Sequence, residues 1–202
     1  MKNDRIKKMT VIAIFSAIAI VLMFIEFSVP SLIPGFVKMD FSEIPALLTA
    51  FMFGPLEGMA VCLIKNLLHL TVTSTGGVGE LANFLLGAAF AGTAGLVYRI
   101  KHTFTGGLIG CLSGSAAMAI VGFPVNYFIT YPFYANVFFK GDMEIIIGMY
   151  KAILPSSDTL AKSLLIFNTP FNLVKGLLVS AVVMLCYKRL SILYKSIGQP
   201  KK

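Results

Sequence analysis

The chain has 202 residues, 57% of them hydrophobic and 13% charged, with a formal net charge of +8 and a mean hydropathy of +0.85. Soluble domains carry about a quarter charged residues, so a soluble globular enzyme, a disordered tail and a disulfide-stapled secreted domain are excluded. No polar linker divides the chain, which reads as one all-α integral membrane domain over residues 1–202.

A spanning helix takes about 20 mostly apolar residues. The first runs from Met9 to Phe27 behind Lys2, Arg5, Lys7 and Lys8, and its length marks it as a retained helix rather than a cleaved signal. Beyond Pro30 and Pro34-Gly35, a shorter run covers Ser42 to Phe53, with Asp40 as a candidate cap and Glu43 three residues on. Gly54-Pro55 turns the chain into a third run, Leu56 to Thr73, and a glycine loop leads into a fourth, Glu80 to Tyr98. The fifth, Gly106 to Tyr134, is interrupted at Pro124. A mixed segment over 135–167, with a candidate surface helix at Met143–Leu154, joins it to a sixth run. That run begins after Thr169-Pro170 and ends near Leu185.

Six spans put both termini and the loop after the fourth helix on one side. That side holds Lys2, Arg5, Lys7, Lys8, Arg99, Lys101, Lys188, Arg189, Lys195, Lys201 and Lys202; the other holds Lys38, Lys140, Lys151 and Lys162. Lysine and arginine collect in the cytoplasm, so both termini are cytoplasmic and 135–167 is extracellular. Tyrosines form the matching belts, with Tyr98, Tyr187 and Tyr194 inside and Tyr127, Tyr131, Tyr134 and Tyr150 outside. This grouping of the basic residues also argues against a nucleic-acid face.

Ionisable residues within a bilayer cost about 2.5–3.5 kcal/mol on insertion scales, so those present point to a site. Asn168, Asn172 and Lys175 share one face of the sixth helix; Glu80 and Asn83 lie on the fourth; Asn126 and Thr130 are near the outer end of the fifth. With the Lys38–Glu43 stretch they outline a polar pocket open to the exterior and walled by apolar side chains, the composition of a small-molecule site. Simpler roles stand beside this one. Glu80 suits a helix N-terminus, Asp40 an N-cap, and Asn83 and Asn126 interhelical hydrogen bonds. Lys65 suits a structural ion pair, and His69 a satisfied core position.

Catalytic signatures are missing. The sequence has no phosphate-binding Gly-x-x-x-x-Gly-Lys-Ser/Thr loop, nucleophile elbow or His-Glu-x-x-His pair. Cys62, Cys111 and Cys186 lie in apolar stretches without metal spacing. An intramembrane enzyme would have to work with Glu80, Asp40 or His69 alone. The first helix carries Ala13 and Ala17 at small-x-x-x-small spacing, which lets another helix approach closely.

The combination of Lys38-Met39-Asp40-Phe41-Ser42-Glu43-Ile44-Pro45, Phe53-Gly54-Pro55-Leu56-Glu57-Gly58, Ile64-Lys65-Asn66, Gly79-Glu80-Leu81-Ala82-Asn83-Phe84, Asn126-Tyr127-Phe128 and Pro170-Phe171-Asn172-Leu173-Val174-Lys175-Gly176 spans nearly the whole chain. With Ala13 and Ala17, it resembles the substrate-binding S component of energy-coupling factor (ECF) vitamin transporters, and among these the riboflavin-specific members. The resemblance implies a protein of the bacterial cytoplasmic membrane that binds its vitamin from outside, under a loop joining the first two helices. It implies docking, through the alanine face, on a transmembrane coupling subunit that carries two cytoplasmic ATPases, whose ATP use topples the S component and releases the vitamin inside. On the matching positions, Asn126, Asn172 and Lys175 would hydrogen-bond the flavin. Lys38, Met39, Asp40 and Phe41 would form the gate and contact the ring, and Glu80 and Asn83 would line the wall. No catalytic residue, catalytic cofactor or metal is implied; riboflavin is cargo.

The chemistry agrees. Isoalloxazine is a flat, mostly apolar plate with a hydrogen-bonding rim, and the ribityl chain needs several donors and acceptors. An asparagine-rich pocket suits both, whereas a phosphorylated flavin would call for more cations than Lys175 and Lys38. The alternatives are an S component for pantothenate or a pyridoxine-like vitamin, where a carboxylate would lean on Lys175, and, from a different class, the intramembrane enzyme.

Overall fold

The structure is a computed structural model that describes residues 2–197, with side chains over 5–187. Of the residues assigned above to the terminal side, Lys2, Lys188, Arg189, Lys195 and Tyr194 lie outside the described side chains, and Lys201 and Lys202 outside the described residues. Within these bounds the protein is helical: α1 (Lys2–Phe24), α2 (Glu43–Phe53), α3 (Pro55–His69), α4 (Val78–Ile100), α5 (Phe104–Val125), α6 (Tyr131–Phe138), α7 (Met143–Lys151), α8 (Leu160–Ser163) and α9 (Thr169–Ile197). The only β feature among the described residues is a single antiparallel bridge between Phe27 and Met39.

Two wide turns weld some of these helices together. A π turn over Asn126–Thr130 joins α5 to α6, and another over Leu164–Asn168 joins α8 to α9. In each the closing N–H reaches back five residues, Tyr131 to the Asn126 carbonyl and Thr169 to the Leu164 carbonyl. Each is followed two residues on by a proline, Pro132 or Pro170. A proline ring presses on the carbonyl four residues back, and a wider turn relieves that pressure without ending the helix. The expected helix start after Thr169-Pro170 is therefore corrected, and so is the expected break at Pro124, which lies inside the continuous helix α5. The rods run unbroken over Phe104–Phe138 and from Leu160 through Tyr187.

These two rods, with Arg5–Phe24 and Val78–Ile100, are long and apolar enough to cross a membrane. Helix α2, at 11 residues, and α3, at 15, are shorter. Contacts at one end of the bundle fix the directions of the rods. Lys8 of α1 pairs with Glu57 in the first turn of α3. Tyr98 near the end of α4 hydrogen-bonds Tyr187 of α9 at 3.0 Å, and the Phe104 ring at the start of α5 meets Tyr187 edge-on. The rods thus run alternately up and down. The opposite end gathers Tyr131, Tyr150, Ile146, Ile33 and Leu164 into a buried aromatic and aliphatic cluster.

Apolar side chains gain little by leaving lipid for protein, so close backbone approach has to hold such helices together. Small residues allow it. A Cβ at Gly58 of α3 would fall 2.6 Å from Ala50 Cβ of α2, and one at Gly110 of α5 would fall 2.7 Å from the Ala94 carbonyl oxygen of α4. The expected surface helix exists as α7, and it is anchored: Ile146, Ile147 and Tyr150 are buried while Ile145 and Met149 are exposed.

Candidate functional site

A cavity of about 430 Å³ opens at the bundle end opposite the α1 start and Tyr187. Its walls are mostly apolar: Met23 of α1, Phe36 and Val37 of the α1–α2 segment, Leu86 of α4, Met118 of α5, Tyr134 and Phe138 of α6, Ile146 of α7 and Phe171 of α9. The polar side chains reaching it are Glu26, Lys38, Asp40, His69, Ser74, Thr75, Glu80, Asn83, Asn126, Thr130, Asn168, Asn172 and Lys175. Asn168, Asn172 and Lys175 do share a face, and all three are buried against the cavity.

The polar residues divide by how far the protein already satisfies them. Asn172 Nδ2 is buried without a hydrogen-bond partner, and the Asn126 side chain makes no hydrogen bond to a described residue. Asn83 Oδ1 accepts a 3.3 Å bond from Asn66 Nδ2, which leaves its own amide hydrogens free. Buried amides are ordinarily paired, so these groups are the ones available to a ligand.

Most of the other polar residues are committed. Glu80 Oε1 stands 2.8 Å from His69 Nδ1, and Oε2 accepts from Thr73 Oγ1 at 2.9 Å and Thr75 Oγ1 at 2.8 Å. Glu80 therefore ties α4 to the end of α3 and to the connecting loop, and it lines the cavity as a satisfied carboxylate. Asn168 gives Nδ2 to Tyr131 Oη at 2.7 Å and accepts from Tyr150 Oη at 2.6 Å, while the two phenols bond each other. Burial pushes the Tyr150 phenol well above its usual range, so it remains a neutral donor.

Every ammonium at the cavity also has a counter-ion. Lys175 Nζ is 2.8 Å from Asp40 Oδ2 and 3.2 Å from Glu43 Oε2. Lys65, wholly buried, is 2.7 Å from Glu43 Oε1 and bonds Ser42. Lys38 at the rim pairs with Glu26. Two lysines and two carboxylates thus form a neutral buried network between α2, α3 and α9, and Lys65 takes the structural role. Asp40 is not a cap of α2. Its Oδ1 accepts from Ser42 N at 2.8 Å and from Ser42 Oγ, and α2 has no side-chain cap.

The structure brings Lys38, Asp40, Glu80, Asn83, Asn126, Asn172 and Lys175 to the cavity, and leaves out Met39 and Phe41. Met39 is the bridge residue opposite Phe27, with N···O distances of 2.7 and 2.9 Å, and alternation along an extended segment turns its side chain from the face used by Lys38 and Asp40. Phe41 packs on the core cluster built by α2, α4, α5 and α9 and beside Phe27. Ala13 and Ala17 are both exposed on α1, whereas the neighbouring Ser16 and Ala19 are buried. No cluster of three or more His, Cys, Asp or Glu able to hold a metal occurs among the described residues.

A family model for the substrate-specific component of ECF transporters matches residues 7–187. The chain belongs to that family. This substrate-specific component is 38% identical to the riboflavin transporter RibU of Staphylococcus aureus (strain TCH60), over 95% of this chain and 94% of that protein. It is 32% identical to the riboflavin transporter FmnP of Bacillus subtilis (strain 168), over 92% and 93%. A solved S component of a bacterial ECF transporter superposes with a TM-score of 0.73 at 36% identity, covering 95% of this chain and 99% of that one. Like its family, the chain is a transporter component in the membrane and not an enzyme.

Several residues of this substrate-specific component escape sequence reasoning. Phe36 lies in an irregular segment, yet its ring meets Tyr131, Tyr134 and Tyr150 edge-on at 5.8, 6.1 and 6.3 Å. Ile146 belongs to a helix assigned to the surface. The four tyrosines of the outer belt were the one available signal, because three of them form the box that receives Phe36.

Proposed function

We propose that this chain is the riboflavin-binding S component of an ECF-type importer of the bacterial cytoplasmic membrane. The carrying observation is the cavity with two buried asparagines, Asn126 and Asn172, whose side-chain amides hydrogen-bond no described residue, set among aromatic and aliphatic walls. Such walls suit the isoalloxazine plate, and free amides suit its rim and the ribityl hydroxyls. The names of the similar proteins support the same ligand.

The ion pairs favour an uncharged cargo. A carboxylated vitamin or a phosphate ester needs a cation to spare, and Lys175 and Lys38 are both already opposed by carboxylates. This weighs against the pantothenate reading and against a phosphorylated flavin.

Six spans follow if α2 and α3 cross as a tilted pair beside the four longer rods. The bias in lysine and arginine then puts both termini in the cytoplasm, the cavity mouth outside and 135–167 extracellular. Riboflavin enters under the α1–α2 segment. The exposed Ala13 and Ala17 face meets the transmembrane coupling subunit, and two ATPase subunits supply the energy. Met39 and Phe41 act as supports of that segment rather than as ring contacts.

The test is the visible absorption and fluorescence of detergent-purified protein. A copurified yellow chromophore identified by mass as riboflavin, or quenching of added riboflavin at equimolar ratio, is the expected result. Protein that neither carries nor binds riboflavin overturns the assignment.

A further inference from the structure

We propose that Gly122 is a positioning residue of the ligand site: by carrying no side chain, it leaves the space in which the Asn172 amide stands. This rests on the riboflavin reading and deepens it. Gly122 is buried in α5, one turn before the wide turn that carries Asn126. A Cβ built on it would stand 2.3 Å from Asn172 Nδ2, and 3.4 Å from Asn172 Cγ and from Leu86 Cδ2. The first distance is closer than unbonded heavy atoms approach, while the other two are tolerable contacts. The conflict is therefore confined to the tip of one flexible side chain.

Nothing else about this position asks for glycine. Gly122 is not among the glycines at positive φ, and glycine is a poorer helix former than alanine. Helix packing does not require it either. At Gly110 and Gly114 the added Cβ would strike backbone carbonyls of α4, each at 2.7 Å, whereas at Gly122 the nearest atom belongs to the Asn172 amide. Asn172 Nδ2 has no protein hydrogen bond, so no hydrogen bond is broken by its displacement. A methyl group at position 122 thus moves the donor out of register with the ligand and leaves the helices where they are.

The experiment is a riboflavin titration, by fluorescence quenching, of the purified full chain as wild type, G122A, N172A, N172S and the two double variants. Ligand-free unfolding midpoints are recorded alongside. The expected result is binding about tenfold or more weaker in G122A, with an unfolding midpoint at or above that of wild type. In the N172A and N172S backgrounds, adding G122A then changes affinity by less than about twofold. Wild-type affinity in G122A, an equal loss in all three backgrounds, or a G122A protein that does not fold each overturns the inference, because each denies that Gly122 acts through the Asn172 amide. A wild-type chain that fails to bind riboflavin overturns instead the reading on which the inference rests.

Discussion

Lys175 Nζ on α9 lies 2.8 Å from Asp40 Oδ2 in the segment entering α2, two residues 135 positions apart in the chain. Removing one partner of a buried pair strands the other charge and costs about 3–5 kcal/mol, whereas removing both together costs much less. Lys175→Met is therefore expected to lower the unfolding midpoint of ligand-free protein in detergent sharply, and Asp40→Asn combined with Lys175→Met to recover most of the loss. A single variant as stable as wild type would show that the network is not structural.

Asn172 is expected to behave in the opposite way. Its Nδ2 has no partner to lose, so Asn172→Ala should keep the ligand-free unfolding midpoint near that of wild type. Riboflavin affinity should fall by about 1–3 kcal/mol, the range for one buried hydrogen-bond partner. Fluorescence titration and thermal unfolding on the same preparation separate the two effects.

Tyr150 tests the outer wall. It donates to Asn168 Oδ1 at 2.6 Å and anchors α7, whose Ile146 reaches the cavity. Tyr150→Phe leaves Asn168 Oδ1 unpaired in a buried site, at a cost of about 1–3 kcal/mol. The expected outcome is a lower unfolding midpoint together with faster riboflavin dissociation in stopped-flow fluorescence.

Ala13 and Ala17 test the partner face. Both are exposed on α1, so Ala13→Leu or Ala17→Leu should leave riboflavin binding by purified protein unchanged. The bulkier side chains should nevertheless reduce uptake in cells, because close helix approach depends on small residues. Unchanged uptake with Ala17→Leu would remove this face from the coupling interface.

The sequence disclosed membrane residence, the polar faces and the grouping of charge, because each depends on local composition and helical period. Asn168, Asn172 and Lys175 were legible as one stripe for that reason. Helix ends at proline were not. Pro124 and Pro170 read as breaks, and only the backbone geometry showed that α5 continues through Pro124 and that a wide turn carries the last rod past Pro170. That Met39 and Phe41 do not line the cavity was not legible, because a short extended segment reveals which face is buried only once its Phe27–Met39 bridge is known.

By itself, then, the sequence determined a helical membrane protein with a weakly charged polar pocket and no catalytic apparatus. The cost of each polar residue in a bilayer made those residues conspicuous without any structure. Tertiary structure decided which of them remain free. Lys175, Glu80 and Asn168 were as prominent in the sequence as Asn126 and Asn172, yet each is satisfied by residues from elsewhere in the chain. A hydrogen bond between distant segments depends on how helices pack, and only that packing leaves the Asn126 and Asn172 amides open to a ligand.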